Sequence, residues 1–153
     1  MIKEIIKDEF FLKQKSKECT KEDTYIAQEL LETIQAYKDQ CVGMAANMIG
    51  YQKTMMVVLD QNKYLILINP VILKTKGERE VEEGCLSFPN QFAKVIRPEE
   101  VTAEYTDRKG KRVKIKAKDL LAQAICHEYD HLEGEVFVDK IVPGTMEYVE
   151  PEK

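Results

Sequence analysis

Apolar residues recur at helical spacing in two stretches of the chain and at strand-like spacing in several others. Ile26, Leu30, Ile34 and Tyr37 follow one another every three or four residues, which lines one face of an α-helix and predicts a helix running to about Asp39. Thr20-Lys21-Glu22-Asp23, just before it, has the form of a capping box. A second helical pattern, Leu120, Leu121, Ala124, Ile125 and Leu132, lies between Asp119, which can cap its start, and Gly134, which can stop it just after Leu132. Residues 54–60 and 64–73 are rich in aliphatic side chains and predict strands, with a turn at Gln61-Asn62. Val101, Ala103 and Tyr105 alternate with polar residues, and Asp107-Arg108-Lys109-Gly110 then reverses the chain into residues 112–117. That is a hairpin leading into the second helix. A last strand is expected around residues 136–138, after which Pro143-Gly144 begins a short acidic tail. The layout is α+β.

Composition narrows the class without choosing a function. A chain of 153 residues with 44% hydrophobic content is long enough for one domain, residues 1–153, with a core of its own. There is no internal repeat, low-complexity tract or linker. The net charge of -4 argues against a general nucleic-acid binder. Lys and Arg do cluster between Arg108 and Lys118, but they alternate with Val113, Ile115 and Ala117, as on a strand with one wet face. A solvated edge is therefore favoured over a contact with ribosomal RNA. Four cysteines, Cys19, Cys41, Cys85 and Cys126, could form two disulfides. Met1-Ile2-Lys3-Glu4, however, runs into a charged amphipathic segment with no long apolar stretch, so a reducing cytoplasm is the expected location. No apolar run approaches the roughly 18 residues needed to span a membrane.

The chemistry concentrates in His127-Glu128-Tyr129-Asp130-His131, which holds both histidines of the chain. On a helix, His131 lies about 40° around the axis from His127, so two imidazoles can reach one ion from a single face. Glu128 lies about 100° round, too far to be a natural ligand but able to reach a water beside the ion and take its proton. The same face carries the helix's apolar residues, and imidazoles buried there need a partner. Tyr129 and Asp130 point elsewhere, and Asp130 and Glu133 are read as solvated or supporting groups. A catalytic metal needs a third protein ligand and an open position. Downstream candidates are Glu133, Glu135 and Asp139; upstream stands Cys85, within Glu82-Glu83-Gly84-Cys85-Leu86-Ser87. Cys126, adjacent to His127, points away on the side opposite Glu128 and is read as packing.

Three blocks together resemble the peptide deformylases: Gly43-Met44-Ala45-Ala46, Glu83-Gly84-Cys85-Leu86-Ser87 and His127-Glu128-Tyr129-Asp130-His131, in that family's order and at comparable spacing. Leu67-Ile68-Asn69-Pro70, Arg97 and Asp119-Leu120-Leu121-Ala122 extend the likeness over nearly the whole chain. The resemblance implies an α+β fold of antiparallel strands around a central helix that carries the histidine motif. It implies metal ligation by Cys85, His127 and His131, with Fe(II) as the natural ion and Zn(II) or Ni(II) able to take its place. Glu128 would be the acid and base, and the backbone N–H of Leu86 would help hold the developing oxyanion. Val42, Gly43, Met48 and Arg97 are the expected substrate-binding positions. The implied substrates are N-formylmethionyl peptides or nascent chains, the methionine side chain entering an apolar pocket near the metal helix. At most a transient ribosome contact is expected, with no direct nucleic-acid or membrane binding.

One block departs from the family pattern, which runs Gly-x-Gly-x-Ala-Ala-x-Gln. Here the register reads Cys41-Val42-Gly43-Met44-Ala45-Ala46-Asn47-Met48, and Met48 stands where a side-chain amide would donate to the formyl oxygen. A thioether has no proton to donate. Losing one oxyanion donor typically costs about 2.7–4 kcal/mol. Asn47 has an amide next door, but neighbouring residues point in different directions. Cys41 replaces a glycine that can supply conformational freedom. The alternative is therefore a deformylase-like relative that binds metal and N-acylated peptides with little turnover, or acts on another acylated amine. A metalloprotease or a structural metal domain is the third class; Cys85 speaks against the first and Glu128 beside an open position against the second.

Overall fold

The two helical patterns and the strand patterns fold into two antiparallel sheets with a buried helix beside them. The computed structural model describes residues 1–149. Its elements are α1 (Glu9–Leu12), α2 (Tyr25–Ala36), β1 (Gly43–Ala45), β2 (Met55–Asp60), β3 (Lys63–Lys76), β4 (Arg79–Cys85), β5 (Phe88–Arg97), β6 (Glu100–Thr106), β7 (Arg112–Lys118), α3 (Asp119–Leu132) and β8 (Glu147–Tyr148). The larger sheet runs β1-β2-β3-β6-β7 and the smaller β4-β5-β8, and every pair is antiparallel. The α+β expectation, with antiparallel strands around the histidine helix, holds.

Helix α2 follows from its period: Ile26, Ala27, Leu30, Thr33 and Ile34 are buried along one side. The capping box at Thr20 exists, with the Thr20 N–H donating to Asp23 Oδ2 at 2.7 Å, but it caps a short 3₁₀ turn, Lys21–Asp23, from which α2 continues. Strand β2 buries Met55, Met56, Val57 and Val58 in succession. Consecutive burial is the signature of a strand covered on both faces, and both α2 and α3 pack against it. The β6–β7 hairpin keeps the alternation seen in the sequence, with Val101, Ala103 and Tyr105 inward and Lys114, Lys116 and Lys118 outward. Among the described residues no helix is long and apolar enough to cross a membrane.

Several expectations need correction. Residues 136–138 form no strand; Phe137–Asp139 is a 3₁₀ turn whose Phe137 is buried against Phe88 and His127. The segment after Pro143 is no loose tail as far as it is described: β8 returns to pair with Gln91 and Phe92 at the edge of the smaller sheet. Asp119 makes no cap hydrogen bond; it sits at φ 53° and its carboxylate pairs with Arg79 instead. Gly134 does end α3, at φ 79°, and a Cβ there would lie 2.6 Å from the Lys13 carbonyl oxygen. Both the left-handed backbone and the close approach require glycine. Leu120, expected in the core, is 56% exposed, at the rim of the cleft described next.

Candidate metal centre and substrate cleft

Two sheet edges and one helix meet at a cavity of about 380 Å³. Strand β1 is the edge of the larger sheet and β4 the edge of the smaller. Between them α3 contributes Leu120, Gln123, Ala124, His127 and Glu128 to the cavity wall. Cys41, Val42, Gly43 and Met48 line it from the β1 side, and Glu82, Glu83, Gly84, Cys85 and Leu86 from the β4 side.

Cys85, His127 and His131 come together there. Their ligand atoms lie within 4.8 Å of one another, with Cys85 Sγ 3.5 Å from His131 Nε2. Glu133, Glu135 and Asp139 do not join them. The helix supplies the two imidazoles four residues apart, and Cys85, the last residue of β4, supplies the thiol. A thiolate and two imidazoles suit a divalent transition metal. The Nδ1 of His127 lies 2.7 Å from Glu83 Oε1; a carboxylate partner makes Nδ1 the donor and leaves the Nε2 lone pair for an ion. The residues present therefore fit a metal.

Electrostatics divides the two histidines. Burial opposes charge on His127, but Glu128, Cys85 and Glu83 outweigh it and raise the imidazole well above the ordinary range, so an ion that takes Nε2 must displace a proton there. Burial, joined by the charges of His127 and Arg97, pushes His131 well below it, leaving a neutral ring with a lone pair to offer. Burial likewise pushes the Glu128 carboxyl up to about 7. Among the described residues its Oε1 is buried without a hydrogen-bond partner, unlike the Glu83 and Asp130 carboxylates. Gly43 lets β1 approach this carboxylate: a Cβ there would stand 2.8 Å from Glu128 Oε2.

Arg97 was expected beside substrate, and the structure corrects that. It is 4% exposed, absent from the cavity wall, and lies behind the site. Its guanidinium grips Glu83 through Nε and Nη2, both at 2.8 Å, and Asp130 through Nη1 at 2.6 Å; Lys140 then reaches Asp130 at 3.0 Å. Against the opposing effect of burial, the hydrogen bonds from Arg97 and His127 hold Glu83 down to about 2. The chain Lys140–Asp130–Arg97–Glu83–His127 thus sets the orientation of the His127 ring. Asp130 is buried in this relay, while Glu133 faces solvent near Lys15. Sequence reasoning missed Glu83 and Lys140; the signal was an acidic residue two before the cysteine, on a strand whose other alternate position, Val81, is apolar and buried.

The departures from the family pattern also resolve into geometry. Met48 sits in the 3₁₀ turn Ala46–Ile49, 1% exposed, with its sulfur 3.4 Å from the Ala45 N–H. It lines the cavity and offers it no donor. Asn47 does not substitute for it: its amide donates to the carbonyls of His131 at 3.0 Å and Leu12 at 3.4 Å and is absent from the cavity wall. Cys41 is not among the residues with positive φ, so no glycine-only backbone is violated. Burial, with Glu128 and Cys85 nearby, pushes its thiol up to about 12, and Sγ donates to the Tyr37 carbonyl at 3.6 Å. Cys126 is buried apart from the ligand cluster, and all four cysteines are free.

Comparison with known proteins gives the same picture from another direction. The sequence model of the family described as polypeptide deformylase matches residues 2–146. The peptide deformylase of Clostridium beijerinckii is 45% identical over 134 residues, covering 88% of this chain and 98% of that protein. The crystal structure of peptide deformylase from Thermotoga maritima superposes with a TM-score of 0.86 at 30% identity, over 94% of this chain and 99% of that one. A Met-Ala-Ser-bound peptide deformylase from Acinetobacter baumannii superposes with a TM-score of 0.85 at 26% identity, over 92% and 99%. With a family match over nearly all its length and a relative of this identity, the chain belongs to the polypeptide deformylase family.

Proposed function

We propose that this protein removes the N-formyl group from peptides beginning with N-formylmethionine, using one divalent metal held by Cys85, His127 and His131, with Fe(II) the natural ion. The observation that carries the reading is the meeting of those three ligands with the buried, unpartnered carboxylate of Glu128 at one cavity. The bound ion would supply Lewis acidity, polarising the formamide carbonyl and acidifying water. Glu128 takes the proton of the attacking water and returns it to the departing amine, giving formate and a free N-terminus. A carboxyl lifted towards 7 by burial is suited to both transfers. The N–H of Leu86 faces the developing oxyanion as one donor.

The peptide's backbone lies along the free edge of β1. The Leu59 N–H donates to the Val42 carbonyl at 2.8 Å. Because backbone groups alternate along a strand, the N–H and C=O of Gly43 are left on the open edge, the N–H beside the Cys41 sulfur, where an extended ligand can pair with them. Val42, Gly43 and Met48 then form the substrate-facing wall opposite Cys85 and Leu86. The Acinetobacter relative's ligand, Met-Ala-Ser, begins with methionine, as the proposed product would. A reducing cytoplasm suits a thiol that must remain available as a ligand.

A second reading rests on Met48. The cavity lacks the side-chain donor that would face the formyl oxygen, and Asn47 is committed elsewhere, so turnover is slow, or the preferred substrate is another acylated amine. Metal-loaded protein assayed anaerobically on a formyl-methionyl tripeptide separates the two. Formate release that disappears in Glu128→Gln supports the first reading. Binding of the peptide without release supports the second.

A further inference from the structure

We propose that Gln123 selects the first side chain of the substrate and makes the pocket accept side chains that can donate a hydrogen bond, not methionine alone. The inference rests on the substrate reading above and concerns the wall of α3. Leu120, Gln123, Ala124 and His127 are spaced i, i+3, i+4, i+7, so they form one stripe along the helix. All four line the cavity. Going outward from the ligand His127, the stripe would be uniformly apolar but for the amide at Gln123. That side chain reaches across the cleft: its Nε2 donates to the carbonyl oxygen of Glu82 on β4 at 3.2 Å. The bond ties helix to strand and occupies an open-edge carbonyl that would otherwise be free to pair with a ligand's backbone. It also uses the amide's donor and leaves its acceptor, Oε1, with no donor among the described residues. A methionine thioether brought against that oxygen removes water from it and gives nothing back. A side chain of the same length ending in N–H, such as that of glutamine, satisfies it.

Selectivity of this kind appears in a ratio of affinities, because loosening of β4 would weaken both ligands alike. The test uses metal-loaded Glu128→Gln, which holds peptides without consuming them, titrated calorimetrically with formyl-Met-Ala-Ser and formyl-Gln-Ala-Ser. The two should bind within about fivefold of each other, since a purely apolar pocket would reject the amide more strongly. Adding Gln123→Met, which keeps length and removes the acceptor, should shift the ratio towards methionine about tenfold, with metal content unchanged. A preference for methionine beyond about fivefold with Gln123 intact, or a shift smaller than about threefold in Gln123→Met, overturns the inference. The first of these ratios is read without altering Gln123 and stands even where the double variant fails to fold. If neither peptide binds, the substrate reading falls, and this inference with it; binding of both with an unmoved ratio removes this inference alone.

Discussion

At the scale of single residues, the site brings together a buried carboxylate, Glu128, and three groups that could hold a metal, Cys85, His127 and His131, and Met48 offers the cavity no donor. Met48 occupies the cavity wall with a sulfur that accepts from Ala45, while the neighbouring amide of Asn47 is spent on fastening the end of α3 to the 3₁₀ turn. Met48→Gln should therefore raise kcat/KM on a formyl-methionyl peptide by about 10- to 10³-fold, the range one oxyanion donor supplies. Metal content should stay the same, because Met48 is outside the ligand cluster. Steady-state kinetics with metal analysis on both proteins checks this, and an unchanged rate would mean that the missing amide is not limiting. The two histidines and the glutamate were legible in the sequence because a metal-binding helix needs those residue types at fixed spacing, whereas Cys85 was singled out only by the family resemblance. The commitment of Asn47 was not: which way an amide points depends on Leu12 and on the end of α3, 35 and 84 residues away along the chain.

At the scale of elements, the segments with unbroken apolar periods could be read directly. Helices α2 and α3, strands β2 and β3 and the β6–β7 hairpin all carried such a period. The β4–β5 hairpin did not, because charges occupy two of its buried positions. Val81 is followed two residues later by Glu83, and Ala93 and Val95 by Arg97. The alternation is intact only when the Glu83–Arg97 pair is counted as an inward couple. That couple makes two predictions. Arg97→Leu removes the buried cation shared by Glu83 and Asp130, leaving them only His127 and Lys140, and should destabilise the fold by about 3 kcal/mol in urea denaturation. Glu83 has its carboxyl held near 2 in the folded protein against an ordinary 4.5. Its contribution to stability is thus present above about 4.5 and lost as pH falls from there towards 2. Over that window the wild-type urea midpoint should fall more steeply than that of Glu83→Gln; parallel slopes would remove Glu83 from the acid limb.

At the scale of the whole molecule, a metal at this site would add a further link between β4, whose last residue is Cys85, and α3, which carries both histidines. Binding to the folded state alone stabilises it by mass action. Cys85→Ala should lose the ion, and the wild type stripped by a chelator should melt at a lower temperature, approaching that variant. Stoichiometric metal retained by Cys85→Ala would break the assigned ligand set. The most direct test of the central claim is anaerobic turnover of a formyl-methionyl tripeptide by the Fe(II)-loaded protein, read as formate released. Release is predicted from the wild type, larger in Met48→Gln and lower by about 10² or more in Glu128→Gln with metal retained. No release from either the wild type or Met48→Gln, with the ion bound at one equivalent, would contradict it.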